Sequence, residues 1–226
     1  MKKAFVLCTS ALVLFIVVGV ILLVGQHGLV SRSSRPIRNT MAAAAAPSSS
    51  LQPSAPLCDD AFLLEQAGLV LDAIADRDYT ALSKLVHPVR GVTFTPYSTV
   101  DPEFDLCFFP DQIADAESDS TVYGWGFTDG RGSRISMTME EYFDRYVFDA
   151  DFRDAPEVSI DQVKASGNAL ENVADVFSGC RFVEYYFPER DSRKGGLDWC
   201  ALKLVFAPTE KNEWRLVGLI HSEWTI

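Results

Sequence analysis

The chain has 226 residues, 48% of them hydrophobic and 12% aromatic, enough for one domain with a substantial core plus appendages. Residues 1–57 carry five cations (Lys2, Lys3, Arg32, Arg35 and Arg38) and no acid, so against a net charge of −11 the remainder carries −16. A body that acidic repels phosphate backbones, which excludes nucleic acid as a partner.

Ala4 to Val24 is an uncharged run of 21 residues whose clear polar members are Thr9 and Ser10, behind the cationic start Met1-Lys2-Lys3. About 20 apolar residues span a bilayer as a helix, and the run is longer than the apolar core of a cleaved leader. Residues 1–30 are therefore expected to be a transmembrane signal anchor, with the membrane as partner through residues 4–24. Lys2 and Lys3 place the N-terminus inside and the body outside; Arg32, Arg35 and Arg38 pull the other way from farther along the chain. The alternative is a secreted protein released by cleavage within Ala42–Ala46. Residues 31–57, rich in Ser, Ala, Pro and Arg, read as a flexible tether, since Pro47, Pro53 and Pro56 stop any helix that starts in the alanine run.

The body, 58–226, opens with a helix capped by Asp59 or Asp60 and running to about Ala75, with Phe62, Leu63, Ala67, Val70, Leu71 and Ile74 on one face. A second helix covers about Tyr79 to Val86, stopped by Pro88. Alternation from Val92 to Tyr97 predicts a strand; 104–109 is extended and 110–116 a short helix. Thr121–Thr128 is a strand with Tyr123, Trp125 and Phe127 on one face and Gly124 and Gly126 on the other. The turn Asp129-Gly130 leads into a strand over Ser133–Thr138. A helix over 139–147 and a short strand at 157–163 follow. Cys180–Phe187, Leu197–Phe206 and Trp214–Trp224 are long strands joined by turns at Arg193–Gly196 and Pro208–Asn212. The order is that of an α+β domain, N-terminal helices against a mostly antiparallel sheet.

Several stretches carry a resemblance: Ala73–Val86 followed by His87-Pro88-Val89-Arg90-Gly91-Val92-Thr93-Phe94-Thr95-Pro96-Tyr97; Tyr123-Gly124-Trp125-Gly126; Gly196-Leu197-Asp198-Trp199; and Trp214 to Ile226. Together they are similar to the nuclear transport factor 2-like (SnoaL-like) superfamily, and more narrowly to a group of exported or surface-anchored proteins of Gram-positive bacteria. The resemblance implies a curved sheet wrapped around a long N-terminal helix as a cone. It covers most of 75–226. It implies no activity, because that superfamily holds enzymes and non-enzymes alike.

Candidate residues follow from chemistry. His87, Asp198 and His221 are the candidate catalytic groups, a histidine oriented by a carboxylate being a general base. With Tyr97 they are expected to converge at the mouth of the cone. The plainer alternatives are a helix-end histidine at 87, a half-buried strand histidine at 221 on the face of Val217 and Leu219, and a turn cap at Asp198. Tyr97, Tyr123, Trp125 and Trp199 are candidate ligand-binding aromatics, with core filling as their ordinary role. No metal site and no cofactor is implied, since no ligand spacing supports one. Cys58, Cys107, Cys180 and Cys200 permit disulfides in an exported domain. Cys180–Cys200 around one turn is the favoured pair and leaves Cys58–Cys107, with four buried thiols as the alternative. Two function classes result: an extracytoplasmic binding or interaction module for a small ligand or protein, and a small-molecule hydrolase, isomerase or dehydratase.

Overall fold

The computed structural model describes residues 58–165 and 167–225. The anchor at 1–30 and the tether at 31–57 lie outside the described residues. No helix among the described residues is long and apolar enough to cross a membrane.

Helix α1 (Asp60–Ala75) begins where the Asp59 carboxylate accepts the Phe62 N–H at 2.7 Å. Its buried face is Leu63, Ala67, Val70, Leu71 and Ile74, the helical spacing expected, but Phe62 sits on the solvent side, 38% exposed. Helix α2 (Tyr79–Leu85) repeats the device with Asp78 accepting from Ala81 at 2.8 Å. It ends at Val86, whose extended backbone precedes His87-Pro88.

Strands β1 (Val92–Thr95), β2 (Leu106–Phe108), β5 (Glu157–Ile160), β6 (Arg181–Phe187), β7 (Cys200–Pro208) and β8 (Trp214–Glu223) form one sheet in the order β2-β1-β8-β7-β6-β5. Every neighbouring pair is antiparallel except β1 and β8, which run parallel with Thr93 opposite Gly218 and Thr95 opposite Ile220. Strands β3 (Tyr123–Phe127) and β4 (Arg134–Met137) make a separate ribbon. The short helix α3 (Pro110–Ala114) precedes this ribbon, α4 (Met139–Tyr142, continued by a π-turn over Phe143–Val147) follows it, and α5 (Val173–Val176) lies between β5 and β6. The domain is α+β with a mostly antiparallel sheet, as its sequence pattern implies.

One face of the sheet buries Phe94, Leu202, Leu204, Phe206 and Leu219 against α1, α2 and an aromatic group from the ribbon and α4. Trp125 stacks on Tyr142 at 3.9 Å, and Phe94 meets Phe108, Trp125, Tyr142 and Phe143 edge to face. Burying each such ring contributes roughly 1.5–3 kcal/mol, with a further ~0.5–1.5 for a well-oriented pair. The opposite face carries Val205, Val217 and Ile220 beneath Val173 and Phe177. A bulge sorts these sets: Val205 pairs with Gly218 but Phe206 with Leu216, so Val217 is the unpaired residue. Leu219 and His221 therefore share a face that Val217 leaves, where simple alternation puts all three together. Gly218 fits closely there: a Cβ would stand 3.0 Å from the Phe177 ring and 3.2 Å from Val205, so those side chains would have to give by a few tenths of an ångström.

The strand expected from Leu197 starts at Cys200, because Gly195 and Gly196 both take positive φ (61° and 76°) and prolong the turn. The strand at 157–163 stops at Ile160, where Asp161 has φ 53°. The described cysteines are free thiols. The favoured Cys180–Cys200 pair fails on register: Cys200 opposes Phe187, while Cys180 precedes Arg181 at the far end of β6. For the other pair, Cys58 lies by Arg181, which donates to its carbonyl at 2.6 Å, and Cys107 lies on edge strand β2 against the Arg90 carbonyl at 3.2 Å.

Candidate functional site

The parallel pairing of β1 with β8 carries the segment after β1 past His221. The His221 Nδ1 lies 3.1 Å from the Pro96 carbonyl, an acceptor only, so that nitrogen carries a proton and donates it. Its Nε2 faces Asp149 Oδ1 at 3.4 Å, and Tyr146 packs edge-on at 5.6 Å. Asp149 is also held by Arg190, whose Nη1 meets Oδ2 at 2.9 Å and whose Nη2 donates to the Asp149 carbonyl at 2.8 Å. Burial pushes the Asp149 carboxyl up, but the approach and charge of His221, with the charges of Arg190 and Arg145, outweigh it and hold the group below its ordinary 3.8. Cys200 lies beside this pair; burial first, then the Asp149 charge, pushes its thiol up to about 12.

His221 is 0% exposed. A histidine–carboxylate pair thus exists, with Asp149 as the acid. Asp198 does not pair with His221: its Oδ1 accepts the Arg190 backbone N–H at 3.3 Å and Lys194 lies 3.8 Å away, so it ties the β6–β7 turn. His87 is also apart. Its Nδ1 accepts from the backbone of Val89 (3.2 Å) and Arg90 (3.0 Å), bracing the turn into β1. Burial, helped by Arg90 and Arg215 and opposed by the Pro208 carbonyl, lowers its pKa from 6.5. No hydrogen bond or ion pair among the described residues joins His87, Asp198 and His221 directly to one another; Arg190 links Asp198 to the His221–Asp149 pair by touching both aspartates, and His87 has no such link among the described contacts.

Of the aromatic candidates, Trp125 is buried with its Nε1 donating to the Met137 carbonyl at 2.9 Å, and Tyr123 donates to Asp119 at 2.6 Å. Trp199 lies across the sheet, packed with Ala165 and Ala201. Tyr97 reaches Tyr146 on one side and an open groove on the other. Phe127 does not share the face of Tyr123 and Trp125. A bulge between Gly124 and Phe127, with Gly126 at φ 104°, turns it outward to 65% exposure.

That groove has a volume of about 790 Å³, within the range of ligand sites. One wall is the β1–β2 connection, with Tyr97, Asp101, Phe104 and Asp105; the other is Gly124 to Asp129, with Arg134. Asp105 is fixed by the Thr95 hydroxyl (2.6 Å) and the Asp101 N–H (2.9 Å); burial nonetheless holds its carboxyl above the usual 3.8. Phe104 is 69% exposed. Arg134 lies flat over Gly124, where a Cβ would be 2.5 Å from the guanidinium.

A second buried polar group sits on the opposite sheet face. Lys203, 0% exposed, meets Glu171 at 2.9 Å, Glu184 at 3.3 Å and the Ser222 hydroxyl at 3.1 Å. Glu184 also accepts from the Lys164 backbone. The group fastens the chain at Lys164 and at Glu171 to the sheet. Among the described residues no group of three or more His, Cys, Asp or Glu side chains is placed to hold a metal ion.

Sequence reasoning missed Asp149 and Arg190, which are remote in sequence from each other and from His221, and also Phe104, Asp105 and Arg134 of the groove. The one usable signal was the pair of bulky aromatics, Phe104 and Phe127, next to acids and turn residues. No family model matches the chain. No curated relative matches it either. Among solved structures, a nuclear transport factor 2 (NTF2-like) superfamily protein from Salmonella enterica subsp. enterica serovar Typhimurium str. LT2 is similar at 12% identity and a TM-score of 0.33. That likeness covers 72% of this chain and 88% of the other.

Proposed function

We propose that the chain is a binding module held at a membrane by its N-terminal apolar run, with the body outside the cytoplasm and the groove beside β3 as its ligand seat. The observation that carries this reading is the division of labour inside the domain. The space between sheet and helices is filled by Phe94, Trp125, Tyr142 and Phe143, and His221 is fully buried behind Asp149, whose side chain alone of the pair reaches solvent, at 11% exposure. The open space lies elsewhere, lined by two exposed phenylalanines and by carboxylates that have no histidine, cysteine or serine beside them. Exposed aromatics flanking a concavity mark a recognition surface. The hydrolase, isomerase or dehydratase alternative needs His221 to reach a substrate, and its side chain is 0% exposed.

A fragment screen by protein NMR on the full-length chain in detergent tests the seat. Hits are expected to shift Tyr97, Phe104 and Phe127, to vanish in Phe104→Ser with Phe127→Ser, and to persist in His221→Gln. Hits centred on His221 would return the enzyme reading. The placement is tested on cells: the chain should resist alkaline extraction from membranes, and protease added to intact cells should remove the body. Soluble recovery, or protection of the body, would overturn it.

A further inference from the structure

The ribbon β3–β4 leaves one edge of β3 without a strand. Tyr123 and Gly124 pair with Met137 and Ser136 of β4, Phe127 pairs with Arg134, and β3 has no other strand partner among the described residues. The groove runs along this strand: six consecutive residues, Gly124 to Asp129, line it, against Arg134 alone from β4. An unpaired strand edge offers a row of backbone donors and acceptors, the template on which an extended peptide adds as a further strand. Four of those six residues, Gly124 to Phe127, belong to β3, and at about 3.3 Å per residue they offer roughly 13 Å of track. Gly126 leaves open space over that track, since a Cβ there would meet nothing within 4 Å, while Arg134 lies over Gly124.

The side chains around the track state what such a peptide carries. Phe104 and Phe127 offer apolar surface that is mostly exposed in the free domain. Asp101, Asp105 and Asp129 bring three carboxylates, opposed by the single cation Arg134. Aromatic faces beside carboxylates attract ammonium and guanidinium groups. In an extended peptide alternate side chains point to opposite sides, so one set can meet the phenylalanines and the other the acids. We infer that the groove binds an extended segment of a partner protein, lysine- or arginine-bearing with apolar residues between the charges, by strand addition to the free edge of β3. This rests on the groove being the ligand seat.

The test uses the full-length chain in detergent and a fluorescein-labelled short peptide of alternating lysine and valine, read by polarisation. Three comparison probes accompany it: the glutamate–valine peptide, the lysine–valine peptide methylated on alternate backbone nitrogens, and spermidine as unlabelled competitor. Saturable binding of the lysine peptide is expected, with none for the glutamate peptide. Backbone methylation should weaken binding by about tenfold or more, the worth of one or two lost hydrogen bonds. Hydrogen exchange at the Gly124–Phe127 amides should slow when the lysine peptide is bound. Two results overturn strand addition while leaving the seat intact: undiminished binding of the methylated peptide, or complete displacement by spermidine, each with the signal still lost in Phe104→Ser with Phe127→Ser. If no probe binds, or if binding ignores the two phenylalanine replacements, the seat falls together with the proposal.

Discussion

Replacing Lys203 with methionine tests whether the buried ionic group on the covered face of the sheet holds the domain together. Methionine keeps the length and apolar stem of lysine but removes the charge. What remains is Glu184, fully buried, and Glu171, each having lost a cation at 3.3 and 2.9 Å. Breaking a buried pair by removing one partner costs about 3–5 kcal/mol, because an uncompensated charge stays behind. For a domain of this size each kcal/mol shifts the melting temperature by roughly 2–4 °C, so a drop of about 6–20 °C is expected. The pH dependence carries the sharper signature. Burial already raises the Glu184 carboxyl above its ordinary 4.5, and Lys203 is the strongest influence pulling it back. Without Lys203 the folded-state value rises further, so the folded protein binds a proton that the unfolded chain releases near 4.5. Stability is then lost as pH rises from 4.5 through the raised value, with a slope of up to about 1.4 kcal/mol per pH unit. Thermal melts followed by circular dichroism should show Lys203→Met closer to wild type at pH 5 than at pH 7.5. The further changes Glu184→Met and Glu171→Gln should restore most of the loss. A melting temperature within a degree or two of wild type at both pH values would refute the reasoning.

Asp149→Asn should flatten the acid limb of stability. The carboxyl is held below 3.8, so its contribution is present above 3.8 and lost as pH falls through the folded value, and melts from pH 2.5 to 7 should show that limb weakened in the variant. Gly91→Ala and Gly124→Ala separate two kinds of crowding. At 91 the φ is 67° and a Cβ would stand 2.7 Å from the Phe108 carbonyl oxygen, so about 2 kcal/mol or more should be lost in denaturant titration. At 124 the neighbour is the movable end of Arg134, and less than about 1 kcal/mol is expected. Thiol labelling of the native protein, mapped by mass spectrometry, should modify exposed Cys107 before buried Cys200, which becomes reactive only on unfolding. Equal native rates would contradict the burial described for Cys200.

The sequence was most informative where the determinants are local. Helical spacing, an aspartate cap at 59 or 60 and the stop at Pro88 were sufficient to place α1 and α2, because a helix closes its hydrogen bonds within four residues of itself. Alternation and the Asp129-Gly130 turn located the ribbon and the long C-terminal strands, but not their ends. Left-handed backbone at Gly195, Gly196 and Asp161 decided those. The failure at His221, Val217 and Leu219 has the same origin: alternation assumes an unbroken ladder, and one extra residue reverses the face of everything beyond it.

What the sequence by itself determined was therefore the kind of domain: an acidic α+β body behind an apolar run and a proline-rich stretch, with its helices in place and its strands approximately so. The tertiary structure alone decided which residues meet. Pro96 reaches His221 because β1 joins the sheet parallel to β8, a pairing between segments more than a hundred residues apart that periodicity does not encode. Asp149 takes the place expected of Asp198 because the chain after α4 returns to that strand. The groove exists because a bulge at Gly126 turns Phe127 toward solvent opposite Phe104. Backbone preference acts over a few residues, whereas register and site geometry depend on which distant surface each segment is packed against.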